Sequence, residues 1–359
     1  MARITCNICK MTAQSTNWRC GDCGGLLDWK ALPTFDPARI VTEDFSLWRY
    51  RALLPVQRRF SLGEGMTPLV QLNLAGARFH AKLEYLNPTG SFKDRGVAVM
   101  LNHLAGAGLA AVMDNSSGNA GASLAAYAAL AGMRATIYVP KTSAVESKKA
   151  HIRAYGGEII ESADLPAQIY AAAKSRTYAS HAWNPSFVLG QQTAAWEIWE
   201  QLGRRAPDAV AAPVGHGGLF LGMVRGFRGL HAAGLIAAIP CMIAVQSAGV
   251  DPIVRAWEAG ADTPPTIVRG DSVADGILVD EPVRGRQILR AIADSGGLAL
   301  RVDNDDILDA QQRMHSRGFM IEATSAVPVA ALPQIRERMG DAAELVIALT
   351  GSGLKSLSG

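Results

Sequence analysis

The residues best suited to chemistry lie in the segment Asn-Pro-Thr-Gly-Ser-Phe-Lys-Asp-Arg-Gly, residues 87–96. The apolar patterns on either side predict a strand over residues 79–83 and a helix over residues 97–104, with Lys93 in the turn between them. A lysine in a partly buried turn packs poorly, but burial lowers the pKa of its ammonium and provides an amine that can attack a carbonyl. That chemistry is Schiff-base formation, and the usual carbonyl partner is pyridoxal phosphate.

Two further segments contain residue types that bind anions. Ser-Ser-Gly-Asn-Ala-Gly, residues 116–121, opens a helical pattern at residues 120–131, and Gly-His-Gly-Gly, residues 215–218, lies between a predicted strand and a predicted helix. Glycines let consecutive backbone N–H groups point inward, and the start of a helix attracts negative charge. The simpler interpretations are an N-cap by serine and asparagine for the first segment and a tight turn for the second.

Four of the five cysteines form two CxxC pairs, Cys6 with Cys9 and Cys20 with Cys23. Each pair turns so that two thiolates converge, which predicts a separate zinc-ribbon module over residues 1–30. With four thiolate ligands the metal has no open position, so its predicted role is structural rather than catalytic. The alternative is a module with four free thiols.

The elements that must position these segments alternate between short apolar strands and helical patterns. The predicted strands are residues 135–139, 158–160, 209–212, 242–246 and 345–349, and the predicted helices are residues 120–131, 147–155, 166–175, 192–202, 219–232, 307–317 and 325–338. This alternation predicts α/β layers with mainly parallel sheets. The glycine-rich segment and Thr350 each follow a predicted strand, where open α/β sheets bind ligands.

The composition is that of an ordinary globular protein of 359 residues, with 49% hydrophobic and 19% charged residues. A net charge of +3 without a long basic run gives no indication of nucleic-acid binding. The most apolar stretches, residues 122–133 and 234–245, are too short to span a bilayer, and no signal peptide is expected at the amino terminus. We therefore expect a cytoplasmic protein with no membrane partner.

Taken together, the motifs resemble those of fold-type II pyridoxal-phosphate enzymes, and most closely those of the threonine synthase family. The resemblance rests on residues 87–96 and 116–121 and on three more segments, Gly-Glu-Gly-Met-Thr-Pro-Leu at 63–69, Pro-Val-Gly-His-Gly-Gly at 213–218 and Thr-Gly-Ser-Gly-Leu-Lys at 350–355. They follow in family order over almost the whole chain.

The resemblance implies a fold like that of the tryptophan synthase β-subunit, with two three-layer α/β/α lobes and mostly parallel sheets beside the ribbon. It implies a large cofactor-binding lobe of residues 31–96 and 193–359 and a small mobile lobe of residues 97–192. It also implies a homodimer acting on a small amino-acid substrate.

The resemblance further implies roles for individual residues. Lys93 is the catalytic lysine that holds pyridoxal phosphate and moves protons. Thr350 places a neutral hydroxyl at the pyridine nitrogen, with Ser352 as a second candidate. The cofactor phosphate is assigned to Gly215, His216, Gly217, Gly218 and Leu219, where we favour the amide of His216 over its ring. The substrate carboxylate is assigned to Ser116, Ser117, Gly118, Asn119 and Ala120, with Asn119 also at the phenolic oxygen of the cofactor. Lys148 matches a family lysine or is an exposed helical lysine.

The implied reaction is a lyase-type elimination and replacement, the conversion of O-phosphohomoserine and water to threonine and phosphate. One segment departs from the family, because Leu189 and Gln192 replace a glutamate and a lysine. This favours a second hypothesis, a β-eliminase or β-replacement enzyme resembling serine/threonine dehydratase or cysteate synthase. A third is a non-catalytic zinc-ribbon protein that binds a ligand.

Near residue 322 the family reads Glu-Pro-Thr-Ser-Ala, and this chain lacks the proline. Here Thr324 and Ser325 are expected to cap the helix that follows.

Overall fold

The computed structural model describes residues 2–14, 16–74, 76–116, 118–141 and 146–356. They form two compact units, the first from the described parts of Met1–Met66 and Asn87–Thr193 and the second from those of Thr67–Leu86 and Ala194–Leu357. None of the described helices combines the length and the apolar composition needed to cross a membrane.

The strands are numbered in chain order: β1 (Arg3–Cys6), β2 (Leu27–Lys30), β3 (Leu69–Leu74), β4 (Ala77–Lys82), β5 (Ala111–Asp114), β6 (Arg134–Pro140), β7 (Glu158–Ser162), β8 (Thr177–Tyr178), β9 (Ala209–Pro213), β10 (Cys241–Ser247), β11 (Leu298–Val302) and β12 (Leu345–Ala348). The helices are α1 (Lys93–Gly106), α2 (Asn119–Leu130), α3 (Glu146–Ala154), α4 (Leu165–Ala172), α5 (Pro185–Gln191), α6 (Thr193–Gln201), α7 (Gly218–Ala232), α8 (Pro252–Glu258), α9 (Gly285–Asp294), α10 (Asn304–His315), α11 (Ala323–Ala330) and α12 (Leu332–Met339).

The first unit combines a small hairpin with a parallel sheet. Strands β1 and β2 pair antiparallel, with Cys6 opposite Leu27. The sheet has the order β7-β6-β5-β8 with every pair parallel. Helix α1 packs against both α2 and α5. The carboxyl ends of β5 and β8 are therefore neighbours, and the loop to α2 starts beside them.

The second unit contains a sheet of order β11-β10-β9-β12-β4-β3. All of its pairs are parallel except the hairpin of β3 with β4. Every residue of β9 and β12 is buried, as expected for central strands covered on both faces. Because β9 and β12 are parallel neighbours, the loops that follow them leave the same edge of the sheet.

The predicted fold class, α/β layers with mainly parallel sheets, is confirmed. Most predicted helices differ from the structure by up to three residues at an end, and two predictions were wrong by more than this. The helix predicted over 325–338 is two helices, because Pro333 has no N–H to continue the hydrogen-bond ladder, and α12 starts anew at Leu332. The helix predicted from residue 97 begins at Lys93. The predicted lobe limits concern which parts move together and stay a prediction.

Candidate active site

Lys93 is the first residue of α1, and a buried carboxylate fixes the turn before it. Asp94 is fully buried, and its oxygens accept hydrogen bonds from the N–H of Thr89 (2.7 Å), from Thr89 Oγ1 (2.5 Å) and from Ser123 Oγ of α2 (2.6 Å). Burial raises the pKa of Asp94 to about 6, although the hydrogen bonds from Ser123 and Thr89 oppose this shift. The carboxyl group ties the lysine turn to α2.

The Lys93 ammonium is half-buried between two aromatic side chains. Its Nζ lies 4.8 Å from the ring centroid of Phe92 and 5.8 Å from that of Phe187. The hydroxyl of Ser91 is buried and has no hydrogen-bond partner among the described residues, whereas buried hydroxyls are normally satisfied by protein, water or a ligand. The surroundings of Lys93 therefore suit an amine that reacts with a bound carbonyl compound.

Helix α5 holds this turn through close contacts with α1. A Cβ added at Gly96 would lie 2.4 Å from the ring of Phe187, and one at Gly190 would lie 2.1 Å from the carbonyl oxygen of Arg95. In addition, Gln191 Nε2 donates to the carbonyl of Phe92 at 3.1 Å. Helix α5 thus sets the position of the residue immediately before Lys93.

The predicted carboxylate loop joins β5 to α2. The N-cap of α2 is Gly118, which has no side chain, so the predicted capping by serine or asparagine at that position is wrong. Instead, Ser116 Oγ accepts from the N–H of Gly118 at 3.4 Å, and a Cβ at Gly121 would lie 2.0 Å from the carbonyl oxygen of Ser116. Asn119 and Ala120 begin α2, where backbone N–H groups lack intrahelical partners and attract an anion.

Two residues assigned to the substrate cannot be placed. Ser117 lies outside the described residues, and the same holds for the side chain of Lys148, whose backbone belongs to α3. Their assigned roles stay predictions.

In the second unit, the glycine-rich loop runs from β9 to the start of α7. Gly217 is the N-cap of this 15-residue helix and has φ of 79°, a left-handed conformation that favours glycine. A Cβ there would also lie 2.5 Å from Ile288 Cδ1. Because no side chain caps the helix, the backbone N–H groups of Gly218 and Leu219 are suited to a phosphate.

Thr350 follows β12 and is buried, with a hydroxyl fixed by α11. Ser325 Oγ lies 3.1 Å from Thr350 Oγ1, donates to the carbonyl of Gly351 and accepts from its N–H. Ser325 therefore orients Thr350, and the expectation that it caps its own helix was wrong, as was that for Thr324, which accepts from the N–H of Gly276. The second candidate, Ser352, accepts from the N–H of Leu354.

The four ribbon cysteines converge as predicted. Their sulfur atoms all lie within 4.8 Å of one another, and Cys6 and Cys23 are 3.4 Å apart. A tetrahedral zinc ion with bonds of about 2.3 Å places its sulfur ligands roughly 3.8 Å apart, so the four thiols fit this metal.

Aromatic contacts link the ribbon to the rest of the first unit. The ring of Trp18, between the two CxxC pairs, packs edge-on against Tyr178 and Trp183 at centroid distances of 5.1 and 5.2 Å. Trp29 Nε1 donates to Ser186 Oγ of α5 at 3.0 Å. The ribbon therefore packs against α5, and α5 in turn contacts the turn that contains Lys93.

Two polar pairs in the first unit were missed by the sequence analysis. His181 Nδ1 lies 2.9 Å from Asp114 Oδ2, and the hydroxyl of Tyr178 donates to Asn115 Oδ1. Both pairs join the end of β5 to the segment at and after β8. The sequence does contain a signal for these pairs, because polar residues follow both β5 and β8. However, β8 has only two residues, and so short a pattern does not predict which strand it pairs with.

The chain is similar to known proteins along most of its length. The model of the pyridoxal-phosphate dependent enzyme family matches residues 60–351. Threonine synthase of Methanocaldococcus jannaschii is 32% identical over 93% of this chain and 88% of its own length, and threonine synthase of Methanosarcina acetivorans is 32% identical over 89% and 82%. Among solved structures, a threonine deaminase from T.th. matches with a TM-score of 0.69 and 28% identity over 85% of this chain and 96% of that chain.

Proposed function

Because the chain belongs to the pyridoxal-phosphate dependent enzyme family, as its motifs predict, we propose that it converts O-phosphohomoserine and water to threonine and phosphate. The observation that carries the cofactor chemistry is Lys93 at the start of α1, between Phe92 and Phe187. The substrate follows from the relatives named threonine synthase, which match most of the chain.

The resemblance assigns residues of each unit to the cofactor. In the first unit they are Lys93 and Asn119, and in the second they are Gly215, His216, Gly217, Gly218, Leu219 and Thr350. The glycine N-cap of α7 supports a phosphate at this loop, where the amide of His216 serves as a donor. When bound, pyridoxal phosphate supplies an electron sink for a carbanion at the substrate α-carbon.

Thr350 suits elimination and replacement better than transamination. Its hydroxyl is neutral and is oriented by Ser325, so it does not keep a proton on a pyridine nitrogen as a carboxylate would. A milder electron sink favours reactions in which the electron pair of the carbanion is used quickly to expel a leaving group. Lys93 would take the α-proton and return it at the end of the cycle.

The substrate carboxylate is proposed to bind at the start of α2. The N–H groups of Asn119 and Ala120 and the hydroxyl of Ser116 are the described donors at this loop, and the positive end of the helix favours an anion. We assign Ser117, Gly118 and Lys148 to the same site on the resemblance alone.

A second candidate function is β-elimination with release of ammonia. Leu189 is fully buried in α5, and Gln192 is buried with an Nε2 that has no hydrogen-bond partner among the described residues. A buried leucine cannot orient a polar substrate tail, so the family's charged pair is absent where it would bind one. The similarity to a threonine deaminase supports the same alternative.

An assay of released phosphate separates the two functions. We expect the purified protein, loaded with cofactor, to release phosphate and form threonine in equal amounts from O-phosphohomoserine. Serine and threonine should yield little 2-oxo acid and ammonia. Rapid formation of 2-oxo acid from these two amino acids, without phosphate release, would instead establish the eliminase.

Zinc is proposed to occupy the four ribbon thiols as a structural metal. We expect one zinc per chain, and we expect a chelator or Cys9→Ser to lower the stability of the ribbon, because the metal binds only the folded site. The upper bound of this loss is the binding free energy of structural zinc, which is about 10–16 kcal/mol in zinc-finger peptides. Elemental analysis measures the zinc content, and thermal unfolding and tryptophan fluorescence, to which Trp18 contributes, measure the loss of stability. Cys241→Ser, outside the ribbon, is the control. A metal-free protein of unchanged stability would refute the assignment.

We propose, on the resemblance alone, that the enzyme is a cytoplasmic homodimer. Sedimentation analysis of the purified protein tests the oligomeric state.

A further inference from the structure

A histidine–aspartate pair lies beside Lys93 in the first unit, and none of the roles proposed above uses it. The side chains of His181 and Asp114 are 14% and 2% exposed, and Nδ1 lies 2.9 Å from Oδ2. The imidazole ring and Lys93 Nζ contact the same aromatic side chain, at 6.1 Å and 5.8 Å from the ring centroid of Phe187. The imidazole ring and Lys93 Nζ therefore pack against the same aromatic side chain, and Lys93 is close enough for its charge to lower the pKa of His181.

The sheet places this pair next to the proposed carboxylate loop. Asp114 ends β5, and His181 follows the neighbouring parallel strand β8 by three residues. The chain continues from Asp114 through Asn115, whose side chain accepts from Tyr178, into the loop that opens α2. An amino acid bound by that loop would therefore lie close to the segment that contains the imidazole ring.

The surroundings of His181 favour its neutral form. Burial lowers its pKa, and the charge of Lys93 lowers it further, while Asp114 acts in the opposite direction. Burial also raises the pKa of Tyr178, so this neighbour stays uncharged, and the charged groups facing the ring are Lys93 and Asp114. The carboxylate favours the tautomer with its proton on Nδ1, which leaves the lone pair on Nε2.

We propose that His181 is the general base that activates the nucleophile in the replacement step, and that Asp114 is its positioning residue. This inference rests on the proposed function. Before this step, the substrate has lost its α-proton and one β-proton, phosphate has left the γ-carbon with the electron pair of the carbon–oxygen bond, and the γ-carbon has gained a proton, so that a double bond joins the α- and β-carbons. The O–H bond of water then breaks and its proton goes to Nε2, while the hydroxide oxygen bonds to the β-carbon. The electron pair of the carbon–carbon double bond moves toward the α-carbon, to which Lys93 delivers a proton. The proton on Nε2 then passes to solvent.

Asp114 would contribute in two ways to this step. Its hydrogen bond holds the ring in one tautomer and orientation, and its charge stabilises the imidazolium that forms when water loses its proton. A histidine that only filled space beside Phe187 would need neither contribution. Partition of the unsaturated species distinguishes the two cases, because a species that water does not trap is lost as 2-oxobutanoate and ammonia.

The test compares products from O-phosphohomoserine in wild type and in His181→Asn, which keeps a donor near Asp114 but has no base at the Nε2 position. We expect phosphate release within about threefold of wild type, and a fall of about 100-fold in the ratio of threonine to 2-oxobutanoate. Asp114→Asn should lower the same ratio. His231→Asn, an exposed residue at the end of α7, should leave it unchanged.

The outcomes separate this inference from the proposed function. An unchanged product ratio in His181→Asn, or an equal fall of threonine and phosphate, would overturn the role of His181 while leaving the function in place. No phosphate release by wild type would overturn both.

A measurement on the protein without cofactor tests the protonation state independently of activity. We expect ¹⁵N NMR of the imidazole groups to show, for His181, a proton on Nδ1 and a titration midpoint below the usual value of about 6.5. Asp114→Asn should reduce the population of that tautomer. A proton on Nε2, or a ring that is charged at neutral pH, would overturn the inference even if His181→Asn failed to fold.

Discussion

Replacement of Lys93 with alanine is expected to abolish both covalent attachment of pyridoxal phosphate and turnover. The alanine has no amine to join the cofactor aldehyde and no group to move the α-proton. General acid–base catalysis alone is worth about 10²–10⁴ in rate, so we expect a loss of at least roughly 10⁴-fold. Visible absorbance of the added cofactor and the rate of phosphate release measure the two losses.

Two controls make this result specific. Lys30→Ala removes an exposed lysine of the ribbon and should change neither measurement. Borohydride reduction should add the mass of the reduced cofactor to the wild-type peptide that contains Lys93, and to no peptide of the variant. A variant that kept the absorbance of the bound cofactor would refute the assignment of Lys93.

Gly190→Ala is expected to produce a large loss of stability. The new Cβ would lie 2.1 Å from the carbonyl oxygen and 2.7 Å from the carbonyl carbon of Arg95. These are backbone atoms of α1, so no side-chain rotation can relieve the contact, and α5 must move away. We expect a loss of about 3 kcal/mol or more in the free energy of unfolding, measured in urea.

The same variant should also impair the cofactor site. Movement of α5 displaces Phe187 and the hydrogen bond from Gln191 to Phe92, which together locate Lys93. We therefore expect weaker cofactor binding in the fraction that remains folded. Gly229→Ala in α7 is the control, since nothing lies within 4 Å of its added Cβ and alanine favours a helix by about 1 kcal/mol. Equal stability of the two variants would contradict the packing argument.

Much of the fold followed from local patterns. The strands β6, β9, β10 and β12 were predicted to within one residue at each end, because each is a short apolar run bounded by polar or turn residues. Helix α5 was missed for the opposite reason. All of its residues are buried, including Ser186 and Gln191, so it has no polar face to produce a helical period.

The positions of the predicted site residues followed from the sequence only in part. The structure places Thr350 and the glycine-rich loop after adjacent strands of the second unit, where the sequence analysis expected ligand-binding groups. Ser325 was predicted to cap its own helix, but its hydroxyl instead contacts Thr350, which lies 25 residues away in the chain. A local capping rule considers only the next helical turn and cannot find such a partner.

The sequence by itself determined the lysine turn, the paired cysteines and the alternation of strands and helices, because each depends on residues close together in the chain. Only the tertiary structure decided that His181 meets Asp114 across 67 residues, and that α5 lies against α1 through Gly96 and Gly190. Contacts of this kind depend on which strands become neighbours and on how closely two backbones approach. Burial and packing over the whole unit determine both the strand neighbours and the distance between backbones. They produce no periodic pattern in the sequence of the segments that are in contact.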